Sequence, residues 1–328
     1  MVMKKFFVAL SCMTTLAASG LSASAMAQEK WPNKVITYVV PFAAGGATDI
    51  LARLISNKLG PALGTNVIVE NKHGAGGNIG SDFVAKATPD GLVILGGTIS
   101  SHAINTSLYS NMPYDPVKSF EPVTLIGTLP NVLVVDANSP YKTVQDVIDA
   151  AKKKPDAVSF GSSGNGTSQH LSGELFESKT GAQMLHVPYK GSAPAMQALL
   201  AGDVDLVFEN ISAAVPLVES GKLRALAVTS SKRASGLPDV PTFAEGGLKD
   251  YEIVSWQAVF APANTPEPVV KHLSEEIAKI IKDPEITSRL AGLGIEPSGA
   301  GPAELGRFQK AEVARWAALI KTAKIKVE

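Results

Sequence analysis

Twice in this chain an apolar strand runs through a glycine-rich turn straight into a helix. "VITYVVPFAAGGATDILARL" does so from Val35, and "AVSFGSSGNGTSQHL" repeats the layout from Ala157. A strand that feeds a helix directly is a crossover unit, and crossover units build parallel sheets with helices packed on their faces. The layout therefore confines the chain to an α/β fold with largely parallel sheets.

The strands "KVITYVVPF", "TNVIVEN", "GLVILGGT" and "FEPVTLIG" form a first set. The first helix carries Ile50, Leu51, Leu54, Ile55 and Leu59 on one face and is expected to stop at Gly60-Pro61. A second set begins near Pro130 with "NVLVVDA". A helix from Thr143 to Lys154 follows, with Thr143 and Asp146 spaced as a capping box and Pro155 past its end. Gly181 ends the helix after "GSSGNGTSQH", and "QMLHVPY", "VDLVFEN" and "LRALAVTS" read as strands. In order, "VENKHGAGG…ATPDGLVILGG" corresponds to "VPYKGSAPA…LLAGDVDLVFEN", so two similar α/β domains are expected to face one another.

The tail supplies a strand, "IVSWQAVFAPANTP", and a helix opened by Thr265-Pro266-Glu267 with Val269, Val270, Leu273, Ile277, Ile280 and Ile281 on its apolar face. A last helix carries Leu305, Phe308, Trp316 and Ile320. The tail is expected to return to the first domain, giving domain 1 over 28–127 and 252–328 and domain 2 over 128–251. Crossings near residues 128 and 251 would form a two-stranded hinge.

The N-terminus reads as a processing signal. Lys4 and Lys5 precede an apolar run from Phe6 to about Leu21, and Ala25 and Ala27 place a cleavage site after Ala27. Ser11, Thr14, Thr15 and Ser19 interrupt that run, which argues against a membrane-spanning helix. Cleavage removes the only cysteine, Cys12, and leaves 28 of the 30 basic residues against 30 acidic ones. With 45% hydrophobic and 18% charged residues the chain suits a soluble globular protein, and its formal net charge of +0 points to no nucleic-acid partner.

The first turn, with Phe42, Ala44, Gly45, Gly46, Thr48 and Asp49, offers unpaired amides at a helix start, which attract a carboxylate or phosphate. No Gly-Lys-Ser/Thr follows, so it is no nucleotide P-loop. Asp49 suits support of the helix dipole, or else a contact to a ligand amine or amide. "HGAGGNIG" places Ile79 where a dinucleotide fingerprint needs its third glycine. The second turn adds the hydroxyls of Ser162, Ser163, Thr167 and Ser168 to its backbone amides, with Asn165 and Gly166 in the turn and His170 on the helix that follows. Asn165 stands where a hydrolase elbow needs glycine, leaving a Ser/His enzyme built on His170 or His102 as the rival reading. Ligands of open α/β sheets bind at the carboxyl ends of strands. Thr98, Ser100, Ser101 and His102, Glu209 and Asn210, and Lys190 all follow strands and complete the candidate set. No histidine is spaced as a metal ligand, so neither metal nor cofactor is expected.

Taken in order, "WPNKVITYVVPFAAGGATDILARLI", "VENKHGAGGNIG", "ATPDG", "SFGSSGNGTSQHL", "VPYKGSAPAMQALLAGDVDL" and "LRALAVTS…LPDVPTFAE" resemble the periplasmic solute receptors of tripartite tricarboxylate transporters, the Bug receptors. The resemblance covers the mature chain. It implies a two-domain hinged periplasmic binding protein of type II topology, a Venus flytrap, that is not an enzyme. It also implies a small carboxylate ligand between the domains: a di- or tricarboxylate, an acidic amino acid or an aromatic carboxylate. The family grips carboxylate by amides, hydroxyls and ordered water, which suits a chain whose nearest arginine, Arg53, lies inside a helix. Ala44 stands where the family often has proline. The implied partners are the permease subunits, with a monomeric receptor in the periplasm; an accessory receptor for a two-component sensor has the same sequence signature.

Overall fold

The computed structural model describes residues 31–323 and residue 325. The expected signal peptide and its cleavage site, with Cys12, lie outside these residues.

The first half of the sheet is built from β1 (Ile36–Val40), β2 (Val67–Asn71) and β3 (Val93–Thr98), all codirectional, with β1 between the other two. β9 (Val254–Pro262) runs against β3, and β4 (Phe120–Asp136) runs against β9. The second half repeats this order. β5 (Ser159–Ser162) lies parallel between β6 (Leu185–Pro188) and β7 (Leu206–Asn210), while β4 runs against both β7 and β8 (Leu223–Val228). Each half thus has four codirectional strands and one reversed strand that arrives from the other half, and the first half has a second reversed strand, β10 (Glu296–Ala300), against β4. Crossover helices account for the codirectional strands, and the chain's two passages for the strands that arrive from the other half.

β4 is one strand of 17 residues, where the sequence suggests two separate strands on either side of residue 128. Gly127 is inside it because the backbone of β10 (Glu296–Ala300), a strand the sequence does not announce, passes close by. A Cβ at Gly127 would lie 2.3 Å from the Glu296 carbonyl oxygen. Up to Pro130, β4 pairs with β9; from Asn131 it pairs with β7.

The first helix, α1 (Ala47–Leu63), also outruns its expected end at Gly60-Pro61. Gly60 serves close approach, since a Cβ there would stand 2.9 Å from the Thr65 carbonyl oxygen. The helix ends at Gly64, whose φ of 69° makes the left-handed cap that glycine favours. In α4 (Val144–Lys153) both bonds of the Thr143–Asp146 capping box are present. α1, α6 (Ser192–Ala201), α7 (Ile211–Glu219), α8 (Glu267–Lys282) and α9 (Pro284–Gly292) cover one face of the sheet. The other face packs against α2 (Asn78–Ala85), α4, α5 (Ser168–Thr180) and α10 (Pro302–Ala323), around Phe160, Phe208, Trp256 and Trp316. Between β3 and α3 (Asn105–Leu108) the chain makes a π-helical turn, Ser100–Ile104.

Candidate functional site

The starts of α1, α5, α6 and α7 converge on one cleft. It is lined by Gly46, Ala47, Thr48 and Asp49 from α1, Ser163, Ser168 and Gln169 from the α5 start, Ser192 from α6, and Asn210, at the N-cap of α7. Phe42, Thr98, Ser100, Ser255 and Gln257 complete the lining. No lysine, arginine or histidine is among these residues. The amides that open α1 and α5 precede the first helical hydrogen bonds, Ile50 N to Gly46 O and Leu171 N to Thr167 O. Apart from the His170 amide, which Thr167 Oγ1 accepts, they are left as donors, and the helix dipoles add partial positive charge at the same place.

Asp49 shapes the first turn. Its carboxylate accepts from the Gly45 amide (3.0 Å), from Arg53 Nε and Nη2 (3.0 Å each) and from Asn71 Nδ2 (3.0 Å). Burial works to raise the pKa of this carboxyl, but the hydrogen bonds from Arg53, Gly45 and Asn71 together outweigh it and hold the group below the usual carboxylate range. Both oxygens are thus engaged by protein donors. Thr48 Oγ1 donates to Gln257 Oε1 at 2.9 Å and ties the helix start to β9.

The second turn is held from behind. Gly164 and Gly166 take φ values of 118° and 80°. Thr167 Oγ1 donates to the Gly164 carbonyl (2.7 Å) and accepts from the His170 amide (3.3 Å), capping α5. Ser162 Oγ accepts from the Gly164 amide at 3.1 Å and pairs with His186 Nε2 at 2.7 Å. His170 Nδ1 accepts from the Gly166 amide at 3.3 Å, and its ring stacks on His186 at 4.3 Å. Ser162, Gly166, Thr167 and His170 therefore build the turn, and Ser163 is the hydroxyl it presents. Ser163 Oγ accepts from Gln169 Nε2 (3.0 Å) and lies 3.2 Å from Ser192 Oγ.

The remaining candidates fall into five places. Thr98 and Ser100 line the cleft, whereas Ser101 and His102 turn into the core. His102 stacks on Phe260 at 4.1 Å, and burial lowers its pKa to about 3, so the ring is neutral. Ala44 and Gly45 are exposed at the rim. Asn165 and Lys190 line an adjoining opening of about 540 Å³ with Tyr109, Tyr189 and the segment Gly74–Gly77; Phe42 and Ser163 belong to both spaces. Glu209 lies fully buried behind the cleft, its Oε1 accepting from Ser192 Oγ and Gln169 Nε2.

Sequence reasoning missed Gln169, Ser192, Ser255 and Gln257. Gln169 and Ser192 occupy the first turns of helices, where side chains share the space of the free amides. Ser255 and Gln257 are polar residues two apart on an otherwise apolar strand, a spacing that puts both on one face. Neither His102 nor His170 hydrogen-bonds a serine of the cleft, so the Ser/His reading has no catalytic geometry.

Fold and cleft together define a hinged solute-binding receptor. The profile described as "Tripartite tricarboxylate transporter family receptor" matches residues 51–325, and the chain belongs to that family of periplasmic receptors, which are not enzymes. It is 36% identical to protein BugT of Bordetella pertussis over 93% of this chain and 94% of that one. The solved structure of R. palustris Rpa4515 with adipate has a TM-score of 0.88 and 42% identity, covering 90% of this chain and 99% of that one. MatC from Rhodopseudomonas palustris, solved with malate, gives 0.84 and 33%, covering 88% and 100%.

Proposed function

We propose that this receptor captures a small carboxylate in the cleft and delivers it to the permease subunits of a tripartite transporter. The observation that carries this is the convergence of open helix starts on a cleft lined by hydroxyls and amides with no cationic side chain. Such a seat holds a carboxylate by oriented donors and still releases it, as delivery requires. The adipate and malate bound by two similar receptors are of the same chemical class.

In this reading residues 28–127 with 252–328 form one lobe, and residues 128–251 form the other. The lobes turn about β4 near residue 128 and about the returning segment near residue 251. The open receptor takes the anion on the α1 amides, and closure brings Ser163, Gln169 and Ser192 onto it. Ligand binding shifts the population toward the closed form to the extent that the closed form offers more contacts. The signal peptide is removed after Ala27, and the mature receptor works as a monomer.

A thermal-shift screen of carboxylic acids followed by calorimetry tests this. Ser163→Ala and Ser192→Ala are each expected to weaken carboxylate binding about 3- to 10-fold, the size of a lost hydrogen bond. Unchanged affinity in both variants would reject the site.

A further inference from the structure

Glu209 stands one side-chain layer behind the cleft. Its Oε1 accepts from Asn210 N at 2.7 Å, Ser192 Oγ at 2.8 Å and Gln169 Nε2 at 3.1 Å. Its Oε2 is equally buried and has no hydrogen-bond partner among the described residues. All three donor residues, Gln169, Ser192 and Asn210, line the cleft.

No cation answers this acid from the elements packed around it. α6 and β5 carry no ionisable side chain. The only acid of α7, Glu219, is at that helix's far end. On β4, Val132 is the residue opposite Glu209, so Glu121 and Asp136 lie well along the strand on either side. On α5, His170 is engaged with Gly166 and Glu174, while Glu177 and Lys179 belong to the last turns. Across the cleft, Asp49 is paired with Arg53.

Resting on the carboxylate reading above, we infer that ligand binding is proton-coupled: Glu209 takes up a proton as an anion settles on the helix starts. A second negative charge beyond Ser192 and Gln169 favours the neutral form of a buried acid. The same proton reorders the donors. With Glu209 ionised, the Ser192 hydroxyl hydrogen points at Oε1, away from the cleft. With Glu209 neutral, the proton sits on Oε2, the oxygen without a partner, Oε1 becomes a weaker acceptor, and the Ser192 hydrogen is released to turn toward the ligand. The proton comes from the buffer acid in solvent, whose X–H bond breaks as the Glu209 O–H forms; no other covalent bond changes. Burial holds the Glu209 carboxyl at about 7, so both forms are present near neutrality before ligand arrives.

The sign follows from that order. The protonated receptor binds the anion more tightly, so affinity is highest below pH 7. It falls as pH rises, by up to about tenfold per unit, and levels off above the raised pKa of the complex.

Calorimetry with adipate, and with malate if adipate is not bound, tests this at pH 7.5 in two buffers of different ionisation enthalpy. Both acids are fully ionised there. The expected result is a heat that differs between buffers by the uptake of part of a proton, with Glu209→Gln binding at buffer-independent heat and pH-independent affinity. Equal heats in wild type overturn the inference, as does uptake that persists in Glu209→Gln. ¹³C NMR of the wild-type glutamate carboxyls reads the same event without a substitution: one buried carboxyl should move to its protonated shift on adding ligand, and none moving overturns it. If neither acid gives heat, the strongest binder of the thermal-shift screen takes their place; a screen without a binder overturns the carboxylate reading and this inference with it, whereas binding without proton uptake overturns the inference alone.

Discussion

The Tyr109 phenol donates a 2.9 Å hydrogen bond to the backbone carbonyl of Asn165, joining the residue after α3 to the turn before α5 across the mouth of the cleft. This bond exists only when the two halves are together. Tyr109→Phe should therefore lower carboxylate affinity about 3- to 10-fold, the worth of one such bond, with little change in the melting temperature of the ligand-free protein. Calorimetry beside a thermal melt separates the two effects.

Gly76 faces the same carbonyl. A Cβ there would lie 2.3 Å from the Asn165 oxygen, against backbone that cannot swing aside, and the residue's φ is +60°. Gly76→Ala is expected to hold the halves apart and cost at least about tenfold in affinity, while the ligand-free chain stays folded. Small-angle scattering with saturating ligand should show a wider molecule than wild type.

Asp49 is the keystone of the first turn. Asp49→Ala leaves the Gly45 amide, Arg53 and Asn71 without their shared acceptor, and should cost about 2–3 kcal/mol in denaturant unfolding. Because the carboxyl is held below its ordinary range in the fold, its stabilisation is present above the unfolded value of 3.8 and is lost as pH falls through the folded one.

One buried and one half-buried imidazole set a second acid limit. Burial lowers His102 to about 3; burial, and then the neighbouring His170, lower His186 to about 3. Below pH 6.5 the unfolded chain takes protons that the native rings refuse, so stability should fall between pH 6.5 and 4. The slope is about 1.4 kcal/mol per pH unit for each ring. Denaturant midpoints across that range check it, and His102→Phe should flatten the slope by one ring's share.

The elements were legible wherever a local rule governs them. The Thr143–Asp146 capping box, the Gly181 cap and the apolar face of α8 all depend on residues within a turn or two of one another. The same holds for the two turns, whose glycines at 45, 164 and 166 adopt positive φ. Gly60 and Gly127 misled because a glycine that ends an element and a glycine that admits a passing backbone look alike in sequence. Only the neighbours, Thr65 and Glu296, tell them apart.

By itself, then, the sequence determined the α/β class, the two strand–turn–helix units and the family to which the chain belongs. These follow from periodicity, local capping and a set of motifs in order. Which hydroxyls face the cleft was decided by tertiary structure alone. Ser162 and Ser163 are adjacent and chemically alike, yet His186, from another strand, turns the first into a strut, while Gln169 and Ser192 set the second in the cleft wall. Neighbouring residues of an extended turn point to opposite sides, and the side that holds the ligand exists only once the far elements have packed.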